Sequence, residues 1–173
     1  FSFSLKKSPK PIRRVGLVAN SGKANSRSVI REAAALIRRS GREVICDAAT
    51  AELAGLKVPA FPGVGTLTRR VDLVLVCGGD GTMLRVAREM NGSRTPVLGI
   101  NVGALGFLTD VSSTELPAAL KQLWAGEYSL GAHSLIEVSG ELPDRSIHSI
   151  ALNDVVISRG IISRLIELEV RVD

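Results

Sequence analysis

Val76-Cys77-Gly78-Gly79-Asp80-Gly81-Thr82-Met83-Leu84 decides the reading of this chain, because an acidic residue sits inside a glycine turn just after a run of strand-forming residues. Val71 to Val76 is β-branched and apolar enough for a buried strand, and Thr82 to Met90 has helical spacing. The glycines therefore fall at a strand-to-helix turn. Ligands of open α/β sheets bind at such turns. Glycine lets the backbone approach a phosphate and aim N–H groups at it, and the helix N-terminus adds partial positive charge. A carboxylate beside such a cradle repels phosphates unless a cation or a proton-donating substrate lies between them. Asp80 thus orients a hydroxyl or holds Mg2+, both roles of phosphoryl transfer. On these few residues alone, a plain turn with a helix-capping aspartate reads equally well.

Working outward, Pro96 to Ile100 reads as another strand and runs into Asn101-Val102-Gly103-Ala104-Leu105-Gly106-Phe107-Leu108-Thr109-Asp110. Upstream, Val15 to Ala19 and Glu43 to Asp47 are strand-like and flank a helical pattern from Ser26 to Arg39. That helix places Val29, Ala33, Leu36 and Ile37 on one face, with Gly41 as its stop signal. Ser112 to Trp124 is a further helix. Strands alternating with helices predict the α/β class, a Rossmann-like open parallel sheet with helices on both faces.

After Gly126 the pattern changes. Ser134 to Ser139, Ile147 to Ile157 and Arg164 to Val172 are strand-like, joined by short polar connections with no helix between them. Such connections join antiparallel strands, so residues 127–173 are expected to begin an all-β domain after an α/β nucleotide-binding domain at 13–126. Three strands ending in this way leave an edge unpaired.

Three segments in order, Gly78-Gly79-Asp80-Gly81, Asn101-Val102-Gly103-Ala104-Leu105-Gly106-Phe107-Leu108, and Ala151-Leu152-Asn153-Asp154-Val155-Val156, resemble the successive signature motifs of the NAD kinase family. The first alone is shared with diacylglycerol and sphingosine kinases and 6-phosphofructokinases; the other two separate NAD kinases from them. The resemblance covers roughly 13–173 and implies transfer of a phosphoryl group from ATP or polyphosphate, with Mg2+ or another divalent cation, to the adenosine ribose 2′-hydroxyl of NAD.

In that reading Asp80 is the general base, flanked by Gly78, Gly79 and Gly81 in the turn. Arg85, one helical turn on, matches a basic or polar family position that reaches nucleotide phosphates; on spacing alone it is a solvated helix residue. Phe107 resembles the phenylalanine lining the dinucleotide pocket, although a phenylalanine among glycines also reads as core. Leu105 reads as core. Asn153 and Asp154 match the Asn-acidic pair that holds base and ribose, with Asp in place of the usual Glu, one methylene shorter. Arg164 matches a basic position near the nucleotide, and Arg159 reads as a hairpin-tip charge. Family members continue into a Gly/Ser/Thr-rich segment and more β structure, so the chain reads as a fragment whose own activity is open. They are usually dimers or tetramers built through the β domain, which implies a homo-oligomer. The alternatives are a catalytically inactive dinucleotide-binding or oligomerising fragment and a related lipid or sugar kinase.

Composition constrains the rest. A 45% hydrophobic content over 173 residues suffices for a proper core, and no apolar run approaches the ~20 residues needed to span a bilayer. A cytoplasmic protein without a membrane role is expected. Net charge of +5 suits anionic nucleotides, while 3% aromatic content and dispersed basic residues argue against nucleic acid. Gly16 to Lys23 imitates a phosphate-binding loop, but five residues separate the glycines and Ala24 replaces the metal-binding Ser or Thr. Cys46 and Cys77 lie in predicted buried strands as small hydrophobes. His133 and His148 have no ligand spacing, and no protein metal site is assigned. The basic segment from Lys6-Lys7 to Arg13-Arg14 reads as a solvated arm, with the tail of a transit peptide as its alternative.

Overall fold

Alternation along the strands divides the core into two layers. In β1 (Arg14–Ala19), Val15, Leu17 and Ala19 pack to one side and Val18 to the other. The computed structural model describes residues 11–20, 22, 25–103, 106–109, 111–141, 144–158 and 167–171. After β1 come α1 (Ser26–Arg39), β2 (Glu43–Asp47), α2 (Ala48–Ala54), β3 (Ala60–Phe61), α3 (Val64–Thr68), β4 (Leu73–Gly78) and α4 (Asp80–Glu89). The chain continues through β5 (Val97–Asn101), β6 (Val111–Ser112), a short 3-10 turn and α5 (Leu116–Ala125) to β7 (Ile136–Glu141) and β8 (Ser146–Ala151).

The first six strands form one sheet in the order β3-β2-β1-β4-β5-β6, with every pairing parallel. Strand β4 repeats the division seen in β1: Leu73, Leu75 and Cys77 join the cluster that includes α1, α2 and α5, and Val74 and Val76 join the one that includes α3 and α4. Helices cover both faces, as the sequence predicts. Burial on both sides explains why β4 reads as an unbroken apolar run rather than an alternating one.

Helix α1 buries Val29, Ala33 and Ile37 as expected, along with Ile30 and Ala34, whereas Leu36 is only half-buried. Gly41 follows it at φ +77°, the left-handed conformation that lets the chain turn back toward β2. The elements that sequence patterning does not anticipate, α2, α3, β3 and β6, are all short. Helix α2 is held by a cap, Asp47 accepting from the Thr50 N–H, and Thr50 Oγ1 in turn accepts from Ala19 N–H at 2.8 Å.

β7 and β8 form a separate antiparallel pair, with Ile136 opposite Ala151 and Glu141 opposite Ser146. The second strand, expected to reach Ile157, ends at Ala151 because its partner begins at Ile136. Residues 167–171 carry no strand; the rest of the expected third strand, with Arg159 and Arg164, lies outside the described residues. Both cysteines are free and buried. Among the described residues no helix is long and apolar enough to cross a membrane.

Candidate functional site

Strands β1 and β4 are neighbours, yet the chain leaves β1 toward β2 on one side and returns through β4 on the other. This is the topological switch point where open α/β sheets place their ligands. The Gly78-Gly79-Asp80-Gly81 turn occupies the carboxyl end of β4 there. Gly78 is the last residue of the strand, Gly79 caps α4 in extended conformation, and Asp80 is its first residue. Gly79 offers α4 no side-chain cap, and of the helix's first N–H groups Thr82's bonds the Gly79 carbonyl at 2.9 Å. Gly78 cannot carry a Cβ, which would sit 2.6 Å from Thr82 Cβ. The Thr82 hydroxyl is buried and has no hydrogen-bond partner among the described residues.

Asp80 does not cap its helix. Its carboxylate reaches across to the loop after β5, where Oδ2 accepts from the Phe107 N–H at 2.9 Å and Oδ1 from the Leu108 N–H at 3.0 Å. The approach is so close that a Cβ on Gly106 would lie 2.6 Å from the carboxyl carbon. This loop is shaped by residues that the sequence reading quotes without assigning a role. Asn101, buried at the end of β5, accepts from the Gly103 N–H at 2.7 Å and donates from Nδ2 to Thr109 Oγ1 at 3.0 Å. It therefore ties the two ends of the loop together. Gly99 lets the returning backbone cross β5, since a Cβ there would stand 3.0 Å from the Leu108 carbonyl oxygen. The only sequence signal for these contacts is the Asn-x-Gly-x-Leu-Gly-Phe-Leu spacing itself.

Arg85 lies one turn into α4, half-buried rather than solvated. Its Nη2 donates to the Ala19 carbonyl at the end of β1 at 3.3 Å, and its Nη1 to both Glu89 oxygens at 3.1 and 3.2 Å. The guanidinium thus ties α4 to the carboxyl end of β1. Phe107 is 99% exposed, which corrects the reading of it as core; its backbone N–H is held by the Asp80 carboxylate. Asn153 and Asp154 are exposed and follow β8 rather than beginning a strand, and β8 packs against α4. The third motif thereby lies on the same side as the helix that opens with Asp80. Leu105 and Arg164 lie outside the described residues.

Among the described residues no three His, Cys, Asp or Glu side chains converge as a metal cage. Burial, with the neighbouring Asp47 charge second and opposed by Arg38, pushes the Cys46 thiol up from 9.0 to about 12. Burial and then Cys46 do the same to Cys77, also to about 12. Cys77 immediately precedes the turn and is a protonated core side chain rather than a nucleophile.

A family model described as the ATP-NAD kinase N-terminal domain matches residues 15–128. The chain is similar to the NAD kinase of Acidovorax sp. (strain JS42), with 38% identity over 176 residues that cover 95% of this chain and 58% of that protein. It is similar also to the NAD kinase of Cupriavidus pinatubonensis, 36% identical over 166 residues, covering 94% of this chain and 54% of that one. The chain spans about half the length of the curated relatives it matches. Among solved structures, yeast NADH kinase complexed with NADH superposes with a TM-score of 0.73 over 88% of this chain and 52% of that one. At 19% identity that likeness speaks for the fold. The matched stretch from Val15 to Tyr128 takes in the whole parallel sheet and the Asp80 turn, and the chain belongs to the NAD kinase family.

Proposed function

We propose that the protein to which this chain belongs is an NAD kinase, transferring a phosphoryl group from ATP, or from polyphosphate, to the adenosine ribose 2′-hydroxyl of NAD to give NADP. The observation that carries this reading is the Asp80 carboxylate at the first position of α4, at the β1/β4 switch point and facing the Phe107 turn. An ionised carboxylate has about four lone-pair sites. The Phe107 and Leu108 N–H groups occupy two of them and hold the carboxylate in place, where it accepts the proton of a ribose hydroxyl as it attacks phosphorus. Gly78, Gly79 and Gly81 keep the backbone low enough for the donor phosphates to lie against the uncapped start of α4. Arg85 offers them its guanidinium at the cost of its Glu89 pairing.

Phe107 supplies an exposed ring for stacking or edge contact with the dinucleotide, and Asn153 and Asp154 hydrogen-bond its base and ribose, the shorter Asp through water. Arg164 completes the phosphate contacts. Mg2+ or another divalent cation fits here as a passenger of the donor, held chiefly by its phosphates, because the one carboxylate at the turn is already engaged by two amides and no cage surrounds it among the described residues. It would neutralise phosphate charge beside Asp80. In this reading residues 13–126 form the nucleotide-binding domain and 127–173 begin the β domain, through which a cytoplasmic homo-oligomer assembles.

The test is Mg2+-dependent NADP formation from NAD and ATP by the full-length protein beside Asp80→Asn. Loss of turnover in the variant is expected; a folded wild type without activity on NAD would move the acceptor to another alcohol. An oligomerising role without catalysis is favoured by a different observation, the exposed Ile136 and Ile147 on the β7/β8 pair and Leu135 just before it. Light scattering that finds this chain monomeric would remove it.

A further inference from the structure

We infer that Asp80 is also a positioning residue: its carboxylate is the clasp that holds the Gly106–Leu108 turn, and through it sets where Phe107 stands and how well the dinucleotide binds. For its ligand the inference rests on the NAD reading above; for the clasp itself it rests on geometry alone. Both carboxylate oxygens are committed to one turn, through adjacent N–H donors at 2.9 and 3.0 Å. Gly106 lies against the carboxyl carbon where no side chain would fit. The Phe107 ring, 99% exposed, has no packing to fix its backbone from the other side. A ring standing in solvent keeps a defined position only if its main chain is held, and the charge-assisted pair of hydrogen bonds does this.

The loop's other ties act further away. Asn101 bonds Gly103 and Thr109, at the loop's two ends, while the Phe107 and Leu108 amides are held by Asp80. The arrangement couples two steps of the proposed reaction. The group that accepts the hydroxyl proton is attached, through one peptide unit, to the ring that receives the substrate. Replacement of Asp80 by Asn therefore does more than remove a base. Asn keeps one acceptor oxygen and places an NH2 group against the second N–H donor, so the clasp loses one bond and gains a donor-donor clash.

The experiment has two arms. In the first, amide hydrogen exchange is measured on this chain as wild type, Asp80→Asn and Gly106→Ala, the last leaving the carboxylate in place but forcing the turn away from it. Exchange at Phe107 and Leu108 is expected to rise about tenfold or more in both variants while the β4 amides of Val74 and Leu75 stay protected. Unchanged exchange at those two amides in both variants would overturn the clasp.

In the second arm, equilibrium NAD binding, rather than turnover, is measured on the full-length protein as wild type, Asp80→Asn, Phe107→Ala and the double variant. Each single change is expected to weaken NAD, and the double by clearly less than the product of the two losses, because part of what Asp80 contributes to binding passes through the ring. Losses that multiply would overturn the coupling. Wild type that fails to bind NAD, with the two amides still released by Asp80→Asn, would sink the dinucleotide reading and leave the clasp standing.

Discussion

The parallel sheet and the β7/β8 pair are built from similar strand-forming residues and treat them oppositely. In β4 every side chain from Leu73 to Cys77 is at most 3% exposed, whereas Ile136 in β7 is 46% and Ile147 in β8 38% exposed. The difference lies in the connections. Strands β1 to β4 are each followed by a helix that lies back on the sheet, so crossing from strand to strand covers both faces. Only four residues separate β7 from β8, too few for a helix that could cover a face, and one antiparallel pair buries little by itself. A rigid layer with two packed faces can hold a carboxylate to within tenths of an ångström at a strand end, and that is where Asp80 sits. The ribbon brings Asn153 and Asp154 on a scaffold with less packing behind it.

The comparison breaks first if the chemistry does not depend on the layer. Asp80→Asn in the full-length protein is expected to lower kcat for NADP formation about 10²- to 10⁴-fold, the range for a positioned general base. An Asn153→Ala change on the ribbon should act mainly on KM for NAD; steady-state kinetics on both variants separates the two outcomes. If Asn153→Ala lost as much kcat as Asp80→Asn, the division of labour would be wrong.

Stability sharpens the contrast. Leu75→Ala, at a site with no exposure and packed among α1 and α5, should cost about 2–5 kcal/mol in urea denaturation. Gly78→Ala should cost about 1–3 kcal/mol by overpacking, since the added Cβ meets the Thr82 side chain, and Thr82→Ala in the same chain should recover part of it.

The buried thiols give the layer a pH signature that the cysteine-free ribbon lacks. Folded Cys46 and Cys77 keep their protons to about pH 12, while in the unfolded chain they titrate near 9.0. Between those values the native state binds more protons than the unfolded one, so stability falls as pH rises from about 9 toward 12 and is insensitive to these groups below 9. Cys77→Ala should flatten part of that slope in denaturation series across this window. Ile147→Ser on the ribbon should have the smallest effect, within about 0.5 kcal/mol. A larger loss measured on this chain would mean that its exposed face is covered in solution.

Much of the layer is legible in the sequence because its signals are local. The three- and four-residue spacing of Val29, Ala33 and Ile37 announces α1, and the apolar run ending in Gly78-Gly79 announces β4 and the turn. The short helices escape because Ala48–Ala54 and Val64–Thr68 are about two turns or less, too short for a period to show and stabilised by contacts rather than propensity. Arg85 likewise reads as a surface charge until β1 is placed beside β4, which brings the Ala19 carbonyl to it.

Sequence by itself determined the class of fold, the position of the glycine turn and the family, since each depends on residue type and spacing along one stretch of chain. Tertiary structure alone decided what Asp80 holds. The Phe107 and Leu108 amides come from 27 and 28 residues away, and they meet the carboxylate only because β5 pairs in register with β4 and Gly99 lets the returning backbone cross it. The same pairing decided that Phe107 faces solvent. A ring's exposure depends on which surfaces are left when the backbone around it has closed, and no local pattern encodes that.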